Sequence, residues 1–255
     1  MVNRLEYAFR KKTIIEIHEY HDGNYGARGK KRMKKKKPTE EQMRLVNANN
    51  KARKCRHKLL EYYSPGDCFG TWTYSMGNRP HDMAAALDDF QKAIRKVRKE
   101  YRKRGYELFW IRNIERGTKG AWHIHFVVNE IGDTASIMQK AWTKGGTYSV
   151  EIRNDPKLYD EDFTKLAAYM TKDEHTREKK KDGTLAKPRL KESNYNTSRN
   201  MPLKPPAKDQ LIHWKKEVKP KKSYYIISIH EGKNPFTGYK YRRYVMAKIT
   251  PNRRI

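Results

Sequence analysis

Glu107–Val128 reads ELFWIRNIERGTKGAWHIHFVV. Two apolar runs flank the polar, glycine-containing RGTKG, which is the pattern of a β-hairpin. Side chains alternate faces along a strand, so His123 and His125 project from one side of the second run and Ile124 from the other. Counting back across a five-residue turn sets Glu115 opposite Ala121 and Asn113 opposite His123. Glu115 then shares the face of both imidazoles. One carboxylate and two imidazoles on one surface make a mixed nitrogen and oxygen site for a divalent metal with open positions. A half-exposed strand with two unrelated histidines gives the same short pattern, and H-x-H by itself does not separate the two.

Working outward, Cys68–Ser75 (CFGTWTYS) reads as a buried strand. Asp82 to Arg104 reads as a long helix, with Met83, Leu87, Phe90, Ile94, Val97 and Tyr101 as its apolar stripe and Gly105 as its stop. Beyond the hairpin, Asp133 caps a short helix through Trp142. Gly145-Gly146 then turns the chain into a strand from Thr147 to Arg153. The order β-α-β-β-α-β is that of a ferredoxin-like, split βαβ fold of the α+β class. Such a fold puts its helices on one face of a single antiparallel sheet and leaves the other face for function.

A last helix, Asp160 to Lys172 with Asp160 as its cap, buries Phe163, Leu166, Ala167 and Met170 on one stripe. Tyr169 lies about 100° from the centre of that stripe, and Lys172 lies about 60° from Tyr169. Both can point past the helix edge toward a sheet face. A phenol is a poor nucleophile at neutral pH, since its pKa is near ~10. A nearby cation favours phenolate, and a metal polarises the phosphate under attack. Taken alone, Tyr169 is an ordinary aromatic at a helix edge. Its setting beside His123, His125 and Glu115 is what singles it out.

Composition bounds the partner. Lys and Arg number 58 against 29 Asp and Glu in 255 residues, a net charge of +29. Such an excess points to a polyanion. No apolar run has membrane-spanning length, and no signal-peptide or lipidation pattern is present. Cys55 and Cys68 have neither metal-site nor redox spacing, and so few thiols suit a reducing compartment. The 17 Tyr and 5 Trp, interleaved with basic residues, suit single-stranded nucleic acid, whose phosphates are neutralised while its bases stack.

The flanks are basic. In Lys30–Lys37 seven of eight residues are basic, a solvated arm for phosphates. Pro38-Thr39-Glu40-Glu41-Gln42 starts a helix with Thr39 and Gln42 as a capping box. Residues 1–28 have no clear period, and 173–222 reads as an extended linker. Tyr224–Ile229 and Tyr241–Ile249 form a terminal hairpin around Asn234–Gly238. These boundaries give a basic N-terminal arm and helix (1–65), a core (66–175), a basic linker (176–222) and a C-terminal β-hairpin (223–255).

The strand CFGTWTYS, the strand pair IERGTKGAWHIHFVV and the helix segment AAYMTK follow the order of the three motifs of HUH endonucleases. Within that superfamily the chain resembles rolling-circle replication initiators of small phages and plasmids. The resemblance runs from about Lys30 to Pro206, with KPTEEQMRLVNANNKARKCRHKL and YNTSRNMPLKPP as flanking matches. One departure is a first motif less aliphatic than usual, expected not to touch the chemistry.

The resemblance implies the HUH endonuclease fold. It makes Glu115, His123 and His125 metal ligands, Tyr169 the nucleophile and Lys172 the accompanying lysine. It implies Mg²⁺ or Mn²⁺, and attack on single-stranded or locally melted DNA through a 5′-phosphotyrosine that can be rejoined. A host polymerase would extend the freed 3′ hydroxyl in a bacterial cytoplasm. No P-loop is found, so a helicase would come from the host. A single-tyrosine transposase or relaxase would use the same residues. A non-catalytic binder of the RNA-recognition type is the reading of another class, with Trp110 and Trp122 as its stacking platform.

Overall fold

The structure is a computed structural model that describes residues 2–21, 37–117, 120–172, 190–233 and 239–249. The basic run at 30–36, the loop at 234–238 and most of the linker expected at 173–222 lie outside them or at their edge. In chain order the elements are β1 (Val2–Phe9), β2 (Ile14–His21), α1 (Glu40–Tyr62), β3 (Cys68–Thr73) and α2 (Met83–Lys103). Then come β4 (Trp110–Gly117), β5 (Trp122–Val128), α3 (Thr134–Ala141), β6 (Thr147–Glu151) and α4 (Thr164–Thr171). The last are β7 (Leu190–Thr197), β8 (Ala207–Leu211), β9 (Tyr224–Lys233) and β10 (Lys240–Lys248). The class is α+β, with two antiparallel five-stranded sheets.

The chain divides into two compact units. One joins Met1–Met43 to Leu203–Ile255, and the other is Arg44–Pro202. The second unit carries the sheet β6-β3-β5-β4-β7. β5 lies between β3 and β4 and is antiparallel to both, so β3 and β4 are parallel and joined by a crossover through α2. One face of this sheet packs on α2 and α3. Trp72, Ile114, Trp122, Ile124 and Phe126 meet Phe90, Ile94, Val97 and Ile137 there. Gly70 is required in this layer, because a Cβ there would sit 2.2 Å from the Phe126 ring and 2.9 Å from the Tyr148 carbonyl oxygen.

The opposite face is not bare, unlike the open face expected of the pattern. α4 packs against β4. Asn113 on that face is fully buried and donates its side-chain amide to the Lys172 carbonyl at 3.1 Å. β7, from a stretch read as linker, extends the same sheet beside β4.

The caps follow local chemistry. Thr39 and Gln42 form the reciprocal capping box of α1, at 2.9 and 3.3 Å. Asp82 caps α2 through the Ala85 N–H at 2.8 Å. At α3 the expected Asp133 cap fails, because its carboxylate takes Arg104 at 2.8 Å instead. Glu130 fills the role, accepting from the N–H groups of Ile131, Gly132 and Thr134.

The first unit carries the sheet β8-β1-β2-β10-β9. The terminal hairpin is therefore part of a larger sheet whose other strands come from segments without a clear period. Ile15, Ile17, Tyr244 and Met246 form its core under Val218. Beside them Arg242 and Glu19, each 2% exposed, form a buried ion pair at 2.5 Å. The Arg242 guanidinium also donates to the Lys215 carbonyl at 2.8 Å and stacks 4.7 Å from the Trp214 ring. Among the described residues no helix is long and apolar enough to cross a membrane.

Candidate active site

The site grows from the β4–β5 hairpin. Gly117 donates its N–H to the Ala121 carbonyl at 2.9 Å, and Gly120 donates to the Gly117 carbonyl at 2.8 Å. Gly120 has φ +78°, a left-handed value that glycine adopts freely. The turn is thus tighter than five residues, and Glu115 pairs with His123 while Asn113 pairs with His125. The register is displaced by two residues from the one expected. A two-residue slip keeps every side chain on its face, so Glu115, His123 and His125 still share one surface.

α4 brings the second half. It starts at Thr164, later than the expected Asp160. Phe163 precedes it with φ +55°, a left-handed conformation uncommon for a bulky side chain, and is 3% exposed. Asp160 still serves the helix start, accepting from the Lys165 N–H at 3.0 Å. Lys172 is the C-terminal cap and lies just outside the helix.

These elements converge. The Tyr169 hydroxyl lies 3.3 Å from His125 Nε2 and 3.4 Å from Nδ1. His125 Nε2 is 3.0 Å from Glu115 Oε1. Lys172 Nζ is 3.2 Å from Glu115 Oε2 and 4.3 Å from the Tyr169 ring centre. All five residues singled out in the sequence therefore meet at one place. His123 is the outermost member, its ring parallel to that of His125 with centres 6.0 Å apart.

Two residues went unforeseen. Thr71 Oγ1 is 2.9 Å from His125 Nδ1. Phe69 stacks on the His125 ring with centres 6.2 Å apart and meets the Tyr169 ring edge-on at 5.8 Å. Both come from the strand whose unusual composition was expected not to matter to the chemistry. The signal was available: Phe69, Thr71 and Thr73 alternate onto one face of β3, and Thr71 pairs with His125.

Burial alone would raise the Glu115 carboxyl. Its hydrogen bond from His125, the His125 charge and the Lys172 ammonium outweigh that and hold it below the usual carboxylate value. Burial, and then the charge of His125, push the His123 imidazole below its usual value and keep it neutral. Burial raises both thiols, Cys55 and Cys68, to about 12, so neither is a reactive nucleophile.

The donor set of Glu115, His123 and His125 suits a hard or borderline divalent cation. The Glu115 and His125 donors are already adjacent. The three donor atoms do not all lie within 4.8 Å of one another, so His123 has to turn inward to join them. The stacking platform of the alternative reading loses support. Trp122 is 2% exposed and faces the α2 layer, and Trp110 is half-buried against the same core.

No curated protein and no solved structure is matched by the chain. Residues 67–174 match the profile of a replication-associated protein family of the ORF2 type, a stretch that holds β3, the hairpin and α4 and supports a role in replication.

Proposed function

We propose that this protein is a rolling-circle replication initiator that nicks and rejoins single-stranded DNA through Tyr169, on an HUH-type scaffold. The observation that carries the reading is the Tyr169 hydroxyl 3.3 Å from His125, itself paired with Glu115, on one sheet face. The replication-associated match over 67–174 supports it, and so does the insertion of β5 between β3 and β4.

In the proposed step Tyr169 Oη forms a bond to phosphorus, and the bond from phosphorus to the 3′ oxygen breaks. The phenol proton leaves as attack proceeds, and the His125 nitrogens are bases within reach of it. The 3′ oxygen departs and takes a proton from solvent or a nearby donor. Lys172, held by Glu115 over the Tyr169 ring, fixes the ring's orientation. Thr71 fixes the rotation of His125. Glu115, His123 and His125 would hold Mg²⁺ or Mn²⁺, which when bound supplies Lewis-acid charge to a phosphate oxygen. The phosphotyrosine retains the energy of the broken ester, so attack by a 3′ hydroxyl reverses the step. A host polymerase extending that hydroxyl and a host helicase are the partners this chemistry calls for.

The test is direct. The protein is incubated with single-stranded DNA and Mn²⁺, then denatured and resolved by size. A covalent adduct is expected with the wild type and not with Tyr169→Phe, while both retain DNA affinity. An adduct formed by Tyr169→Phe would remove the assignment.

A further inference from the structure

The α2 side of the second unit carries an unassigned basic cleft. α2 buries Ala86, Phe90, Ala93, Ile94, Val97 and Tyr101 and turns its other residues outward. Its acids are already used. Asp88 pairs with Lys92 at 2.7 Å, Asp89 with Lys144 at 3.2 Å, and Glu100 with Lys103 and Arg104 at 2.8 and 2.9 Å. Arg98 and Arg102 remain on the same helix, and among the described residues their side chains have no ion pair or hydrogen bond. The same holds for Arg199, about a hundred positions further along the chain.

These three arginines converge on one cleft of about 800 Å³, with Tyr106, Trp110 and Glu107. A second concavity of about 560 Å³ shares Arg98 and Arg102 and continues along α2 past Arg95. Glu107 is the one acid lining the cleft, and it is engaged by the Asn200 amide at 2.8 Å. Tyr106 is 52% exposed at the mouth, beside Gly105 at φ +78°. The candidate active site lies on the other face of the sheet.

We infer that this cleft is a second tract for single-stranded DNA, on the face of the nuclease sheet opposite Tyr169. Unpaired guanidinium groups offer forked donors that match phosphate oxygens. An exposed tyrosine among them offers a stacking surface for an unpaired base. A cleft of this volume admits a few nucleotide groups and not a duplex. Arg98 and Arg102 stand one helical turn apart, about 6 Å along the axis, so they can take separate phosphates. The nucleotides held here are not those reacting at Tyr169, since the sheet lies between. The tract would hold DNA flanking the nick and keep it from diffusing away. The inference rests on the proposed DNA substrate and extends it.

The test uses the full chain and does not depend on cleavage. Fluorescence anisotropy over a salt series is measured with a long single strand for wild type and for Arg98→Gln/Arg102→Gln/Arg199→Gln. Three lost phosphate contacts should flatten the salt slope by roughly 2 log units per log unit of salt. Tyr106→Ala should weaken binding roughly tenfold without changing the slope. A short oligonucleotide of about 8 residues around the cleavage site should react equally with both proteins, since one groove holds it. An unchanged slope on the long strand overturns the inference and leaves the cleft to an acidic protein or to solvent. An equal loss on duplex of the same length overturns the single-strand assignment. A chain that forms no adduct yet shows the flattened slope upholds the tract and refutes the nuclease reading alone.

Discussion

The Lys172 ammonium stands 3.2 Å from Oε2 of Glu115, where a bound cation would also place its positive charge. In the metal-free protein the lysine is the counter-ion of a carboxylate only 9% exposed. Lys172→Met removes that charge and keeps much of the side-chain volume. The metal-free variant should lose about 1–2 kcal/mol, less than for a fully buried pair because Lys172 is partly solvated. Urea unfolding in the presence of chelator measures this. Mn²⁺ should then stabilise the variant more than the wild type, because the cation takes over the missing charge.

Thr71 governs the rotation of His125 through a 2.9 Å contact to Nδ1. Thr71→Val keeps the shape of the side chain and deletes the contact. Partners that orient a metal-binding imidazole are worth about 10–100-fold in affinity or rate. Nicking should therefore fall by about that factor, with single-strand affinity unchanged. A variant that nicks at the wild-type rate would show that Thr71 does not orient His125.

Two acid limbs are expected in the metal-free stability curve. The His123 imidazole is held below its ordinary 6.5, so the folded chain resists a proton that the unfolded chain accepts. Stability should therefore decline as pH falls below 6.5. The Glu115 carboxyl is held below its ordinary 4.5, so its contribution is present above 4.5 and lost as pH falls through the folded value. His123→Asn should flatten the first limb and Glu115→Gln the second. Urea midpoints across that range test both.

Gly70→Ala would place a methyl group 2.2 Å from the Phe126 ring and 2.9 Å from a backbone oxygen. Overpacking of this kind costs about 1–3 kcal/mol. Phe126 lies beside His125 on β5, so the variant should lose nicking along with thermal stability. Calorimetry and the adduct assay follow the two together.

Glu19→Ala leaves Arg242 buried with its main partner gone. Breaking a buried pair in this way costs about 3–5 kcal/mol. Unfolding followed by Trp214 fluorescence should show the loss, since Trp214 stacks on Arg242.

The chemistry of the site was legible because a strand's two-residue period is local. The face of Glu115, His123 and His125 survives an error of two residues in register. The start of α4 was not legible, since it depends on Phe163 adopting a left-handed backbone that its residue type disfavours. β1 and β2 were hidden for a different reason. Their inward face carries Glu19 against Arg242, so apolar and polar positions do not alternate cleanly. Their partners also lie far away in sequence, as Val2↔Leu211 and Tyr20↔Tyr241 illustrate.

The placement of β2 between β1 and β10 has a consequence for synthesis. The ribosome releases the β1–β2 hairpin first and β10 nearly last, so the hairpin waits through the whole of Arg44–Pro202 with one edge of β2 unsatisfied. An open edge of this kind invites pairing with another chain. Arg44–Pro202 is contiguous and has its own core, so it can fold during that wait. A nascent chain stalled before β10 would thus carry a finished nuclease unit beside a sticky half-sheet, the form in which chaperones would meet it.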